Sequence, residues 1–153
     1  MSNEHTIPDL LPWDFAPEQV LTPERILQHQ AELIGRKSGR RLNGELERTL
    51  SEDYLTLGFI VSAPLLNYSV RLFSCWHQQE LPYPSTVEFP SAYTTQRVKD
   101  EEEFRTVVSN ILASDYARSV FQSLIARIGE VTVKTNEIDN EDKVDSMPNS
   151  LKE

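Results

Sequence analysis

The chain has 153 residues, 39% of them apolar and 25% charged, with nine prolines, one cysteine and a formal net charge of −9. That length suits one domain with a real core, a single cysteine excludes an internal disulfide framework, and no run approaches the ~18 apolar residues of a membrane span. The start of the chain is acidic and proline-bearing where a secretory signal needs a basic and then an apolar stretch, so a cytoplasmic protein with no membrane partner is expected.

The charge is unevenly spread. Residues 1–21 carry Glu4, Asp9, Asp14 and Glu18 and no Lys or Arg, while residues 130–153 carry seven acids against three lysines. Residues 22–129, with 12 basic and 13 acidic side chains, are close to neutral. The division predicts three parts: an extended arm over 1–21, an α+β domain over 22–129 and an acidic, disordered tail over 130–153. Solubility is the plain role for such a tail, and sequestration or nucleic-acid mimicry the sharper one.

In the arm, Ile7, Leu10, Leu11, Trp13 and Phe15 alternate with Pro8, Pro12 and Pro17, which rule out a regular helix. An apolar extended segment packs on something. Either it lies in a groove of its own domain with Trp13 as anchor, or Trp13 and Phe15 dock on another protein.

Thr22-Pro23-Glu24 reads as a helix start, with Thr22 as N-cap and Pro at the first helical position. Ile26, Leu27, Ala31, Leu33 and Ile34 recur at helical spacing up to Gly35, where the helix should end. Residues 41–50 fit either a helix or a strand; Gly44 tips the balance to strand. Next, Leu55, Leu57, Phe59, Val61 and Ala63 share one face of a half-buried strand that Pro64 ends. A long strand follows, in which Leu66, Tyr68, Val70, Leu72 and Trp76 alternate with Asn67, Ser69, Arg71, Cys75 and His77. Ser85, Val87 and Phe89 make another, placed at the sheet edge by Pro82, Pro84 and Pro90. Two apolar stripes then mark helices: Phe104, Val107, Val108, Ile111 and Leu112 behind an acidic start, and Ala117 to Ile128 ending at Gly129, with a break near Ser114-Asp115. The expected fold is two-layered α+β, an antiparallel sheet of three to four strands packed on one N-terminal and two C-terminal helices.

Chemistry-bearing residues are few. Cys75 and His77, two apart on a strand, point the same way and could serve as thiol and base, although a packed Cys beside a solvated His is the plainer reading. Arg36, Lys37, Arg40 and Arg41, interleaved with Ser38 and Gly39, could hold a phosphate or a nucleic-acid backbone on free backbone N–H groups; the plainer reading is a solvated turn at a helix C-terminus. No phosphate-loop or dinucleotide fingerprint accompanies them, and the acidic ends repel polyanions, so nucleic acid is disfavoured as a partner. Three scattered histidines and one cysteine give no metal-ligand spacing, and no cofactor is implied. The acid pairs, such as Glu45 and Glu47, read as surface charge. An outer sheet face with Thr56, Asn67, Ser69, Arg71, Thr86 and Glu88 should be open and polar, a surface suited to protein recognition.

These features point to a small non-catalytic protein-binding module of adaptor, chaperone-like or immunity and antitoxin type. Asn67, Ser69 and Arg71 on the sheet and Trp13 and Phe15 on the arm are its candidate contacts, with a homodimer as a further option. The alternative is an enzyme or enzyme component working on nucleic acid or phosphorylated substrates through Arg36–Arg41, with His77 as acid or base.

Overall fold

A computed structural model describes residues 6–15, 20–89 and 94–145, with side-chain surroundings as far as residue 133. The element order is α1 (Pro23–Lys37), β1 (Asn43–Leu50), β2 (Tyr54–Ala63), β3 (Tyr68–Gln78), β4 (Ser85–Phe89), β5 (Thr94–Val98), α2 (Glu101–Leu112) and α3 (Asp115–Asp145). The fold is α+β: an antiparallel meander of five strands in sequence order, preceded by one helix and followed by two.

Helix α1 starts where its cap residues dictate, with the Thr22 hydroxyl accepting from the Arg25 N–H at 3.3 Å and Pro23 next in line. Its buried row is Pro23, Leu27, Ala31 and Gly35, the last two small enough for a strand to come very close. Gly44 of β1 occupies that approach: a Cβ there would lie 2.5 Å from the Ala31 Cα and 2.6 Å from its carbonyl oxygen. Residues 43–50 are therefore a strand, and Gly44 serves contact with α1. The helix passes Gly35 and stops two residues later, where Gly39 and Arg40 take positive φ values of 62° and 65°.

The core face of β2 is as its alternation predicts, with Leu57, Phe59, Val61 and Ala63 wholly buried. In β3 the alternation breaks. Phe59 pairs with Phe73 but Ile60 pairs with Arg71, so Leu72 is an extra residue, a β-bulge. Beyond it every side chain changes face. Phe73, Cys75 and His77 point into the core opposite Phe59, Leu57 and Leu55, and Trp76 turns to the other side. The expected face assignment of Trp76, Cys75 and His77 is thus reversed, because a bulge accommodates Leu72 and Phe73 as consecutive buried residues.

Two further corrections concern the sheet. β4 is not an edge strand: β5, which carries little apolar signal, pairs with it from Phe89↔Thr94 to Ser85↔Val98. The prolines flank β4 without interrupting it, so its ladder donors remain, and the strand count is five. Pro64–Leu66 form one 3₁₀ turn and Asn67 adopts a left-handed conformation (φ 50°), so β3 begins at Tyr68 and Asn67 lies in a turn, off the sheet face.

The helices cover the core face. α1 packs on β1 and β2, and α2 lies between α1 and α3. α2 is capped by Asp100, whose carboxylate accepts from the Glu103 N–H at 2.9 Å; it buries Phe104, Val107, Val108 and Ile111. The break expected near Ser114 is present, and the Ser114 hydroxyl accepts from the Ala117 N–H at 3.2 Å to start α3. α3 buries Ala117, Leu124 and Ile128, then leaves the core and continues past Gly129 to Asp145. The stretch expected to be disordered from residue 130 is helical as far as 145, since no Gly or Pro between Glu130 and Asp145 stops it; residues 146–153 lie outside the described ones.

Candidate functional site

The uncovered face of the sheet is built from the residues that register places opposite the core. One row across it runs Glu47, Gly58, Ser74 and Glu88; the next runs Thr49, Thr56, Trp76, Thr86 and Arg97. Gly58 has no side chain, and the Arg71 side chain lies over it: a Cβ at Gly58 would be 3.0 Å from the Arg71 Nε. So laid, the guanidinium donates to the Glu47 carboxylate at 3.0 Å, an exposed pair worth about 0–1 kcal/mol. Ser74 donates to Glu88 at 3.4 Å, and Ser69 faces Ser62. Trp76 sits on the central strand, partly buried among threonines. Of the predicted sheet contacts, Ser69 and Arg71 lie on this face and Asn67 does not. Trp76 is the member that alternation misses; the adjacent apolar pair Leu72-Phe73, which no regular half-buried strand can bury on one face, is the sequence signal that could have revealed it.

Cys75 and His77 do share a face, and it is the inner one. Cys75 is wholly buried and burial pushes its thiol up to about 12, so at neutral pH it is a protonated, packed side chain and not a thiolate. His77 is 7% exposed where a solvated ring is expected; its Nδ1 lies 2.7 Å from the Gln78 carbonyl oxygen. Its Nε2, like the hydroxyl of Ser85 directly across the ladder, has no hydrogen-bond partner. These three groups form a small polar inclusion in the core, away from both grooves described below. Among the described residues no group of three or more His, Cys, Asp or Glu is placed to hold a metal ion.

The basic turn spends its own donors. The N–H groups of Ser38, Gly39, Arg40 and Arg41 bond the carbonyls of Ile34, Arg36, Gly35 and Ser38, and that of Leu42 bonds the Ser38 hydroxyl. Arg40 folds back over Gly35, the Arg41 Nε donates to the Ser38 carbonyl at 3.1 Å, and Arg36 lies 3.9 Å from Glu32. The free backbone donors on which a phosphate cradle would depend are therefore occupied, and Lys37 is left as an exposed helix-end cation.

Two grooves flank α1. One, shallow and polar, lies beside β1 between Gln28, Glu32 and Glu45. The other, about 820 Å³, runs between α1 and α2 over a floor of Leu21, Ile26, Val108 and Leu112, with Arg25, His29 and Arg105 along it. Arg105 also reaches Glu101 at 2.7 Å. The arm enters the domain here: the Tyr83 hydroxyl donates to the Leu21 carbonyl at 2.7 Å and fixes its root. Burial and the nearby Glu101 carboxylate hold that phenol protonated well above its ordinary range. The arm itself does not fill a groove of its own domain with Trp13 as anchor. Ile7, Leu10, Leu11, Trp13 and Phe15 are 60–84% exposed.

No helix among the described residues is long and apolar enough to cross a membrane. Comparison with known proteins finds no matching family model, no matching curated protein and no matching solved structure.

Proposed function

We propose that this chain is a small cytoplasmic, non-catalytic protein-binding module of adaptor, chaperone-like or immunity and antitoxin type, and that it reads its partner with the uncovered sheet face. One observation carries the reading: Trp76, on the central strand, is aimed away from the core by the Leu72 bulge. An antiparallel sheet can leave one face to water, and for that purpose polar side chains suffice. A tryptophan there is only partly buried and lies outside the fold's core, whereas at an interface Trp and Arg are the side chains that most often carry binding energy. Arg71, laid over Gly58, supplies a polar neighbour, and Ser69 lies farther along the same face.

The test is isolation of the tagged chain, at native abundance, from its source cells. A protein partner should be recovered in stoichiometric amount and identified. Trp76→Thr, which keeps strand propensity, should then weaken binding of the purified partner about 10-fold or more while the melting temperature stays near wild type. Recovery of no partner, or a partner whose affinity is indifferent to Trp76 and Arg71, would overturn the proposal.

A further inference from the structure

The two edges of the sheet are guarded differently. β1 and β5 each pair with a single neighbour, so in each about half of the backbone N–H and C=O groups point outward from the sheet. Opposed residues of an antiparallel pair share a face, so a two-fold pairing of a strand with its own copy opposes only residues an even number apart. For β1 that rule is prohibitive. Registers centred on Glu45, Leu46, Glu47 or Arg48 oppose Glu45 with itself, Glu45 with Glu47, Glu47 with itself or Arg48 with itself, and any other register overlaps only a strand end. Like charges directly opposite are destabilising. β5 carries no such guard. Centred on Gln96, all five of its residues pair: Gln96 with Gln96, Thr95 with Arg97 and Thr94 with Val98.

The edge at β5 is also clear on both sides. Gln96 stands opposite the wholly buried Val87, so Thr94 and Gln96 lie on the helix-covered side of the sheet; both are nevertheless exposed, as are Thr95 and Arg97 on the other side. None of the described helices overhangs this edge. We infer that two copies of this chain pair antiparallel through β5 and join their five-stranded sheets into one. The pairing adds about four to six backbone hydrogen bonds, depending on which alternate residues of β5 face outward. It closes because β5 occurs once per chain, and it leaves the charge-guarded β1 strands as the outer edges, where growth stops. The two-fold axis keeps both uncovered faces on one side, with the two Trp76 side chains about 24 Å apart across the strands between them. The contact itself uses neither Trp76 nor Arg71, so it stands or falls apart from the sheet-face reading. Five residues a strand make a contact smaller than the ~1,200 Å² of a standard interface, so half-association falls on the order of tens of micromolar.

The experiment is sedimentation equilibrium on the full chain, whose single-copy mass is 17.6 kDa. Between about 1 and 500 µM the wild-type mass should rise from that value toward twice it. Gln96→Lys opposes two cations on the two-fold axis and should weaken association about 10-fold or more, with circular dichroism and melting temperature unchanged because Gln96 is exposed. As a second readout, Gln96→Cys should form an inter-chain disulfide with its own copy under mild oxidation, since opposed Cα atoms of an antiparallel pair lie within disulfide reach and Cys75 is buried. Thr49→Cys, an exposed residue of β1, should not. A wild-type mass that stays at one copy throughout overturns the inference. So does a dimer that Gln96→Lys leaves intact, or a Gln96→Cys chain that crosslinks no faster than Thr49→Cys.

Discussion

The two faces of the sheet are made by the same strands and obey different rules. On the inner face Phe59 and Phe73 stack with ring centroids 5.0 Å apart, Leu57, Val61, Cys75 and Val87 are wholly buried, and Gly44 meets the backbone of Ala31. On the outer face the contacts are a guanidinium resting over a glycine, a 3.0 Å ion pair at half-exposed side chains, and a tryptophan. What the difference teaches is where tolerance lies. An inner side chain is held by neighbours that cannot move; an outer one is held by neighbours that can swing into water.

The strongest attack on that contrast is Phe59→Ala. Removing one ring of the stacked pair should cost about 3–5 kcal/mol in denaturant unfolding, whereas a loss below about 1 kcal/mol would mean that the inner face repacks as freely as the outer. The glycines sharpen it further. Gly44→Ala drives a methyl group into the Ala31 backbone and should destabilise by about 1–3 kcal/mol. Gly58→Ala is crowded only by the Arg71 side chain, which can move, with the Glu47 Cβ at an ordinary contact distance of 3.5 Å, and should stay within about 0.5 kcal/mol of wild type. Equal effects at the two positions would erase the distinction.

The remaining effect is confined to alkaline pH and is absent under ordinary conditions. Burial raises the Cys75 thiol from 9.0 to about 12 in the folded chain. Below pH 9 the thiol is protonated in both folded and unfolded states, so its contribution is constant. Above pH 9 the unfolded chain loses the proton first, and stability should fall by up to about 1.4 kcal/mol per pH unit until the folded thiol ionises. Cys75→Ala should flatten this limb of the stability profile relative to wild type, and native Cys75 should resist thiol reagents at pH 8. Prompt labelling there would show that the inner face opens locally.

Much of this was legible in the residues. Thr22-Pro23 marks the start of α1, the alternation from Leu55 to Ala63 marks β2, and the acidic start and stripe of 101–112 mark α2, because each is a local pattern answering to a local cause. β5 was not legible, since Thr94–Val98 buries only Val98 and owes its place to hydrogen bonds with β4. The outer site was half legible. Ser69 and Arg71 precede the bulge and keep their predicted phase, whereas Trp76, Cys75 and His77 follow it and lose theirs.

The sequence by itself determined the α+β class, the order of helix, strands and helices, the helix starts and the concentration of acid at the two ends. Those follow from periodicity, capping and charge, which act over a few residues. The tertiary structure decided which face Trp76 and Cys75 occupy, that Gly44 serves contact with Ala31, that the basic turn consumes its own N–H groups, and that the apolar side chains of the arm from Ile7 to Phe15 are exposed. Each depends on register or on approach between elements distant in the chain, and one extra residue in a strand is enough to reverse it.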